Sequence, residues 1–309
     1  MPRPERGGWV SSMPNDLYLR TGALAALFCV ATFAGARAQS TADVFHEAES
    51  KYMFGFVDGA YIGNEGEKAI EFETTTEFKR RDGKYSAIEQ EIEFEHVVTQ
   101  NFAYEMSAHF TNHQISGVEG LDDINRTSFS GASSKLRYLI LGRGPGSPIG
   151  LTISAEPEWS RTDGTDGTQT QDYNTDFRIV ADTELVPNRL FAAVNISYVP
   201  ETAKGAADVN WQNSSGLGLS AALAYRVTPK LAVGAAIEYD RAYDGLAFQT
   251  FLGQAFYVGS TLQINFTQKI LLAAAFMAQV AGHAVDDPRA LDLTNFSQYR
   301  ANLKLEFEF

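Results

Sequence analysis

The last residues of the chain alternate between apolar and polar side chains without interruption. Over residues 299–309 the odd positions are apolar, among them Leu303, Leu305 and Phe307, and the even positions are polar. Strict alternation predicts a β-strand with one apolar and one polar face. A soluble protein seldom leaves such a strand uncovered, because a bare apolar edge invites aggregation. The rest of the chain must therefore give this strand a partner and an apolar surrounding.

The same period of two recurs upstream, from residue 67 onwards. Residues 86–96, for example, place Ile88, Ile92 and Phe94 on one face and glutamates on the other. Counting such segments predicts twelve strands. Five short turns are predicted near residues 99–101, 142–148, 186–189, 228–230 and 267–269. They alternate with mostly longer connections, including loops predicted at about 114–130, 161–171, 201–213, 241–253 and 283–296.

This pattern, with its terminal Phe309, resembles that of Gram-negative outer-membrane β-barrel proteins of the porin-like or transporter-like type. In that family a C-terminal Phe is part of the signal read by the insertion machinery. The resemblance implies an all-β, closed antiparallel transmembrane barrel of about twelve strands over residues 67–309, with short periplasmic turns and longer extracellular loops. It also implies outer-membrane lipid, lipopolysaccharide and the barrel-assembly machinery as partners.

The alternative to a membrane barrel is a secreted or periplasmic all-β protein. A soluble sandwich needs polar residues on most outward faces. Here an apolar face runs through all twelve predicted strands, and the opposite face carries Glu, Arg, Gly, Ser and Asn, which could not form a dry core. We therefore expect the apolar face to contact lipid.

The N-terminal residues 1–38 predict a signal peptide for Sec export to the outer membrane. Residues 22–35 are apolar but too short to span a bilayer as a helix, and Ala36-Arg37-Ala38 fits a small-x-small cleavage pattern. Either Met1 or Met13 can serve as the start. The only cysteine, Cys29, falls in this stretch, so no disulfide is expected in the exported chain. Residues 39–66 show no clear period and predict a periplasmic or plug-like segment.

Charge excludes one class of partner. The formal net charge of −13 makes nucleic acid a poor ligand. We expect no cofactor either.

The polar face carries the functional prediction, because in a barrel it faces the lumen. The first three strands predict an acidic wall, formed by Glu71, Glu73, Glu77, Glu89, Glu91, Glu93, Glu95 and Glu105. Four bases are predicted to flank this wall, namely Lys135, Arg137, Arg300 and Lys304. Later strands turn mostly small or neutral groups inward, such as Ala193, Asn195, Gly218 and Thr261.

Two functions are compatible with such an interior. The first is a channel for passive passage of small solutes, whose acidic wall favours cations. The second is a structural or surface-interaction barrel, whose lumen is closed by ion pairs and whose loops carry the function. Like-charged glutamates at alternate positions need either bases or water beside them, so both functions remain open.

Metal binding and catalysis are weaker hypotheses. His109 and His113 share the inward face with Glu105, and residues 163–167 are rich in Asp and Gly, but neither set has a fixed ligand spacing. Residues 112–117 superficially resemble the His/Ser stretch of outer-membrane phospholipase A. His113 and Ser116, however, are three apart and would face opposite ways in a strand, whereas a base must reach its nucleophile. We therefore expect no metal site and no enzyme.

Overall fold

The computed structural model describes residues 50–144, 146–285 and 287–309. The predicted signal peptide, including Cys29, lies outside the described residues, as do residues 39–49. The described chain forms twelve strands: β1 Lys68–Phe78, β2 Lys84–Thr99, β3 Phe102–Ser116, β4 Ile124–Leu141, β5 Ile149–Thr162, β6 Gln169–Val186, β7 Leu190–Gly205, β8 Gln212–Thr228, β9 Leu231–Asp244, β10 Thr250–Asn265, β11 Ile270–Ala284 and β12 Tyr299–Glu308. Nowhere in these ranges is there a helix long and apolar enough to cross a membrane.

Each strand pairs antiparallel with its sequence neighbour, and β1 pairs with β12 to close the barrel. The closing register sets Phe72 opposite Leu305 and Glu73 opposite Lys304. The N–H of Phe309 donates to the carbonyl of Lys68 at 2.9 Å, so the final residue is fixed to the start of β1. Closure leaves no free sheet edge, and the predicted fold class is confirmed.

The outer surface is apolar on every strand. Large apolar side chains stand exposed there at Phe72, Ile92, Met106, Leu136, Ile153, Phe177, Ile196, Leu223, Ile237, Val258, Phe276 and Leu303, one from each strand in order. Aromatic side chains mark both ends of this belt, with Trp159 and Tyr173 near the loop end and Tyr225 and Phe266 near the turn end. A continuous exposed apolar belt bounded by aromatic residues fits contact with lipid.

Several predicted loops are shorter in the structure. The strands continue into them, which leaves connections of residues 117–123, 163–168, 206–211 and 245–249. The physical reason is that both faces of a strand meet water beyond the membrane, so the alternation disappears while the hydrogen-bond ladder continues. The connection between β11 and β12 spans residues 285–298 and folds back towards the lumen, where the Tyr257 hydroxyl donates to the carbonyl of Ser297 at 2.6 Å.

Residues 50–66, which precede β1, lie in the half of the lumen nearest the short turns. They form no strand apart from an isolated bridge between Phe54 and Val57. Their partners lie on opposite walls: Arg137 of β4 donates to the carbonyls of Gly59 and Tyr61, and Thr261 of β10 donates to the carbonyl of Met53. A segment that reaches both walls crosses the interior.

Candidate functional site in the barrel lumen

The predicted acidic wall faces the lumen. Four of its glutamates, Glu71, Glu93, Glu95 and Glu105, are buried, which identifies the inward side of β1, β2 and β3. The other four lie on the same side by strand alternation. The strand register sets Glu71 beside Glu93, Glu73 beside Glu91, and Glu95 beside Glu105. Adjacent strands therefore hold carboxylates side by side, and this arrangement requires nearby cations or water.

Three of the four predicted bases adjoin this wall. Lys304 Nζ lies 2.6 Å from Glu71 Oε1 and 2.9 Å from Glu73 Oε2. Lys135 Nζ lies 3.0 Å from Glu156 and 3.6 Å from Glu105, and Arg137 Nη1 lies 3.5 Å from Glu105. Glu105 therefore pairs with two bases of β4, Lys135 and Arg137.

Arg300 corrects the sequence prediction. Its backbone pairs with that of Glu77 on β1, as the closing register requires. Its guanidinium, however, lies 3.8 Å from the centre of the Tyr257 ring and binds Glu238, at 3.0 Å, and Asp240 of β9. The prediction that Arg300 flanks the acidic wall is therefore wrong for its guanidinium, because the long side chain reaches across the interior to β9, whereas Lys304 supplies the cation beside Glu71 and Glu73.

Lys51 inserts a further cation into the acidic wall. Its ammonium contacts Glu95 and lies 3.2 Å from Glu105 Oε1. Burial alone would lower the pKa of Lys51, but the two glutamates outweigh it and raise that pKa above the usual range. Lys51 therefore remains charged and neutralises a wall that the barrel's own bases leave in acid excess.

The same cluster holds the one group of metal-capable side chains found among the described residues. Carboxylate oxygens of Glu93, Glu95 and Glu105 lie within 4.8 Å of one another. The Lys51 ammonium already serves as their counter-ion, so these distances give no separate reason to place a metal here.

Asp58 ties the N-terminal segment to the opposite wall. Its Oδ2 lies 2.6 Å from Arg178 Nη1 of β6, and its backbone N–H and carbonyl both bond the Asn195 amide of β7, at 2.8 and 3.2 Å. Burial would raise the pKa of Asp58, but Arg178 and the nearby Lys135 and Arg137 outweigh it and hold the pKa well below its usual range. The carboxylate is therefore ionised at neutral pH.

Apolar packing secures the segment between these charged anchors. Phe54 and Val57 are fully buried, and they pack against small and aromatic inward residues of β7 to β11, namely Phe191, Ala193, Ala222, Ala224, Ala232, Ala236, Ala255, Tyr257 and Met277. A Cβ added at Gly55, which has φ +70°, would come within 2.6 Å of the Ala275 side chain. The small residues that the sequence places on this wall make room for residues 53–57.

The remaining lumen is wetter towards the loops. The side chain of Glu89 is 46% exposed and those of Glu73 and Asp176 are each 21% exposed, whereas Glu105 beside the N-terminal segment is 2% exposed. We call this partly exposed region the vestibule and define it by Glu73, Glu89, Glu91, Glu156, Glu158 and Asp176. Its carboxylates outnumber the adjoining bases Lys135, Arg178 and Lys304.

The two inward histidines bind separate partners. His109 bonds Glu89 and Ser133, whereas His113 bonds the carbonyl of Gly164 in the loop between β5 and β6. Ser116, by contrast, is exposed on the opposite side of β3 and bonds Asp123. His113 and Ser116 thus face opposite ways, as the hypothesis against a phospholipase-like pair requires.

Sequence reasoning missed the residues that hold the segment in the lumen. Lys51 and Asp58 are charges that flank the apolar run 52–57, and this pattern is a usable signal for a short element anchored at both ends. Arg178 and Asp182 carry no sequence signal beyond the polar alternation of β6. Asp182 accepts the Ala60 N–H at 3.1 Å and binds Ser50 and Arg143, contacts that no spacing rule reveals.

A closed barrel with an apolar belt and a charged lumen defines the class: this is a β-barrel of the transmembrane type, and its fold is similar to that of an outer-membrane channel. Within that class, the chain belongs to the Family of unknown function (DUF6662), whose sequence model matches residues 46–309. No curated protein matches the sequence significantly.

Solved structures share the fold. The COG4313 outer membrane channel from Pseudomonas putida F1 is 11% identical, with a TM-score of 0.52 over 85% of this chain and 100% of that one. The KdgM porin in complex with disordered oligogalacturonate is 10% identical, with a TM-score of 0.46 over 78% and 99%. The NanC porin is 9% identical, with a TM-score of 0.47 over 77% and 98%.

Proposed function

We propose that this protein is an outer-membrane channel for passive passage of small solutes, with a preference for cations, and that residues 50–62 plug it at the turn end. The observation that carries the proposal is the vestibule, where partly exposed carboxylates, above all Glu89, line a lumen that water reaches. Carboxylates in a water-filled pore attract cations and repel anions. The barrel fold shared with an outer-membrane channel supports the same class of function.

The plug explains how such a channel stays closed at rest. Residues 50–62 hold to the barrel through Lys51, Asp58 and the buried Phe54 and Val57. They are joined to the wall by side-chain contacts rather than by a strand ladder, so their release leaves the barrel ladder intact. Solute passage then requires this segment to shift.

The lead experiment cross-links the plug. A Cβ added at Gly150 of β5 would lie 2.9 Å from the Ala60 Cβ, so residues 59–61 need to move outward by somewhat under about 1 Å to reach the roughly 3.5–4.5 Å Cβ–Cβ distance of a disulfide. We would introduce Ala60→Cys and Gly150→Cys in a Cys29→Ser background and record single channels in planar bilayers. We expect resolved cation-selective steps from the wild type, few openings from the oxidised pair, and recovery on reduction.

Single variants Ala60→Cys and Gly150→Cys control for the close approach of the Asp182 carboxylate to the new side chain. Equal conductance before and after reduction would show that solutes pass beside the segment, and the plug hypothesis would be wrong. Absence of steps from correctly folded wild type, and also from a variant with residues 50–62 deleted, would contradict the channel itself.

A structural barrel with a closed lumen is the second candidate. The fully buried Phe54 and Val57 favour it, because they fill the turn-side half rather than line a passage. The wild type separates the two functions, since a channel opens with residues 50–62 present, whereas a purely structural barrel conducts only after that segment is deleted.

A further inference from the structure

We propose that the outer face of β5, β6 and β7, just above the aromatic belt, binds the phosphorylated head group of an outer-leaflet glycolipid of the lipid A type. A cavity of about 440 Å³ lies at this position, lined by Trp159, Arg161, Gln169, Thr170, Gln171, Lys204, Gly205 and Ala206. The proposal does not depend on whether the lumen conducts.

The strand register builds this site from two rows of outward side chains. In the lower row Trp159 pairs with Tyr173. In the upper row Gln171 pairs with Lys204, and Arg161 stands on the other side of Gln171 at a β-bulge. Since neighbouring strands lie about 4.8 Å apart, the backbones of Arg161 and Lys204 are separated by roughly 10 Å across the amide.

Both cations are available for a ligand. Within the described ranges, neither the Arg161 nor the Lys204 side chain makes a hydrogen bond or an ion pair, and both residues stand on the outer side of the wall. Acids at the same level, Asp172 and Glu201, face the lumen instead. One carboxylate borders the cavity from the loop, where Asp208 accepts the Gly205 N–H at 3.2 Å.

The two rows match a phosphorylated glycolipid in the chemistry of their side chains and in their position relative to the membrane surface. Arg and Lys bind phosphate oxygens, Arg with two donors at once. Trp159, and Tyr173 with Trp211 at 6.0 Å between ring centres, mark the lipid–water boundary just below the cations. A ligand anchored here therefore needs its anionic groups directly above its acyl chains, as the phosphates of lipid A are.

The test measures lipid A binding to the detergent-solubilised full barrel by native mass spectrometry. We expect the wild type to retain lipid A, and Arg161→Ala with Lys204→Ala to weaken binding by about tenfold or more, since each lost charge-assisted contact is worth close to a factor of ten. Lys84→Ala is the matched control, because Lys84 is an exposed cation at the loop end of β2, outside the cavity. This control should bind as the wild type does.

Binding of other ligands identifies which chemical group of lipid A the site recognises. Dephosphorylated lipid A and phosphatidylethanolamine should bind weakly and equally to all variants, and inorganic phosphate should not displace lipid A at equal concentration. Equal lipid A binding by the double variant and the wild type, with both folded by heat-dependent gel mobility, would overturn the proposal. Phosphatidylglycerol binding that matches lipid A and falls equally in the double variant would also overturn it, in favour of a general anionic-lipid contact.

Discussion

Asp58 and Arg178 lie 120 positions apart in sequence, yet Asp58 Oδ2 and Arg178 Nη1 are 2.6 Å apart across the lumen. The same guanidinium also holds Asp176 on its own strand. The ion pair therefore links the N-terminal segment to a rigid part of the wall, and it offers a way to loosen the plug without touching the barrel.

Replacing Asp58 with Asn should raise the open probability of the channel. The variant loses one charge-assisted contact, worth about 1.5–3 kcal/mol in the closed state, and keeps the shape of the side chain. Single-channel recording measures the change. Asp176→Asn is the matched control, because it removes the other partner of Arg178 and leaves the plug contact in place. A rise of equal size in both variants would contradict a latch at Asp58.

Replacing Lys51 with Gln should destabilise the closed state more strongly. It leaves Glu95 and Glu105 without their shared ammonium, and breaking a buried ion pair costs roughly 3 kcal/mol. Thermal unfolding in detergent should show a lower midpoint. Adding Glu95→Gln should restore part of the loss, because the unpaired charge is then removed. Lys68→Gln, at an exposed site on β1, should leave the midpoint unchanged.

Neutralising vestibule acids should reduce cation preference. Glu89 and Glu91 face the wetter part of the lumen, whereas Glu93 is buried beside the plug. We expect Glu89→Gln with Glu91→Gln to shift the reversal potential in a salt gradient towards zero, and Glu93→Gln alone to shift it little. An unchanged reversal potential in the double variant, with conductance retained, would mean that these acids only brace the barrel.

The fold was predictable because a membrane barrel repeats one simple rule. Lipid outside and polar groups inside impose a period of two on every strand, so the strand count and the inward direction of the acids follow from alternation. The pairing of Glu73 with Lys304 required the register that the structure shows. The turn of residues 142–148 was predictable for the same reason, since the Gly/Pro stretch stands where the alternation stops.

The lumen was only partly predictable, because side-chain partners across an interior depend on distance rather than on sequence spacing. The strand register pairs the backbone of Arg300 with that of Glu77, but the Arg300 guanidinium binds Glu238 and Asp240 of β9. The plug has no period because it belongs to no sheet. Its trace in the sequence is indirect, in the small inward residues of β7 to β11 that leave space for Phe54 and Val57.

The contribution of Asp58 to the latch should depend on pH in one direction. Its pKa in the folded protein lies below the ordinary value of about 4, because Arg178 and its neighbours outweigh the effect of burial. Because the pKa is lowered, Asp58 stabilises the closed plug fully above its ordinary pKa, and this stabilisation is lost as the pH falls through the pKa of the folded state.

A cysteine introduced at the buried position Ala60 can report release of the plug through its reaction with dithiodipyridine. The ratio of labelling rates with and without Asp58→Asn should stay constant from pH 7 to about 5 and approach one only well below pH 4. The ratio cancels the reagent's own pH dependence, and a ratio that already falls between pH 7 and 5 would mean that another titrating group, and not Asp58, holds the plug.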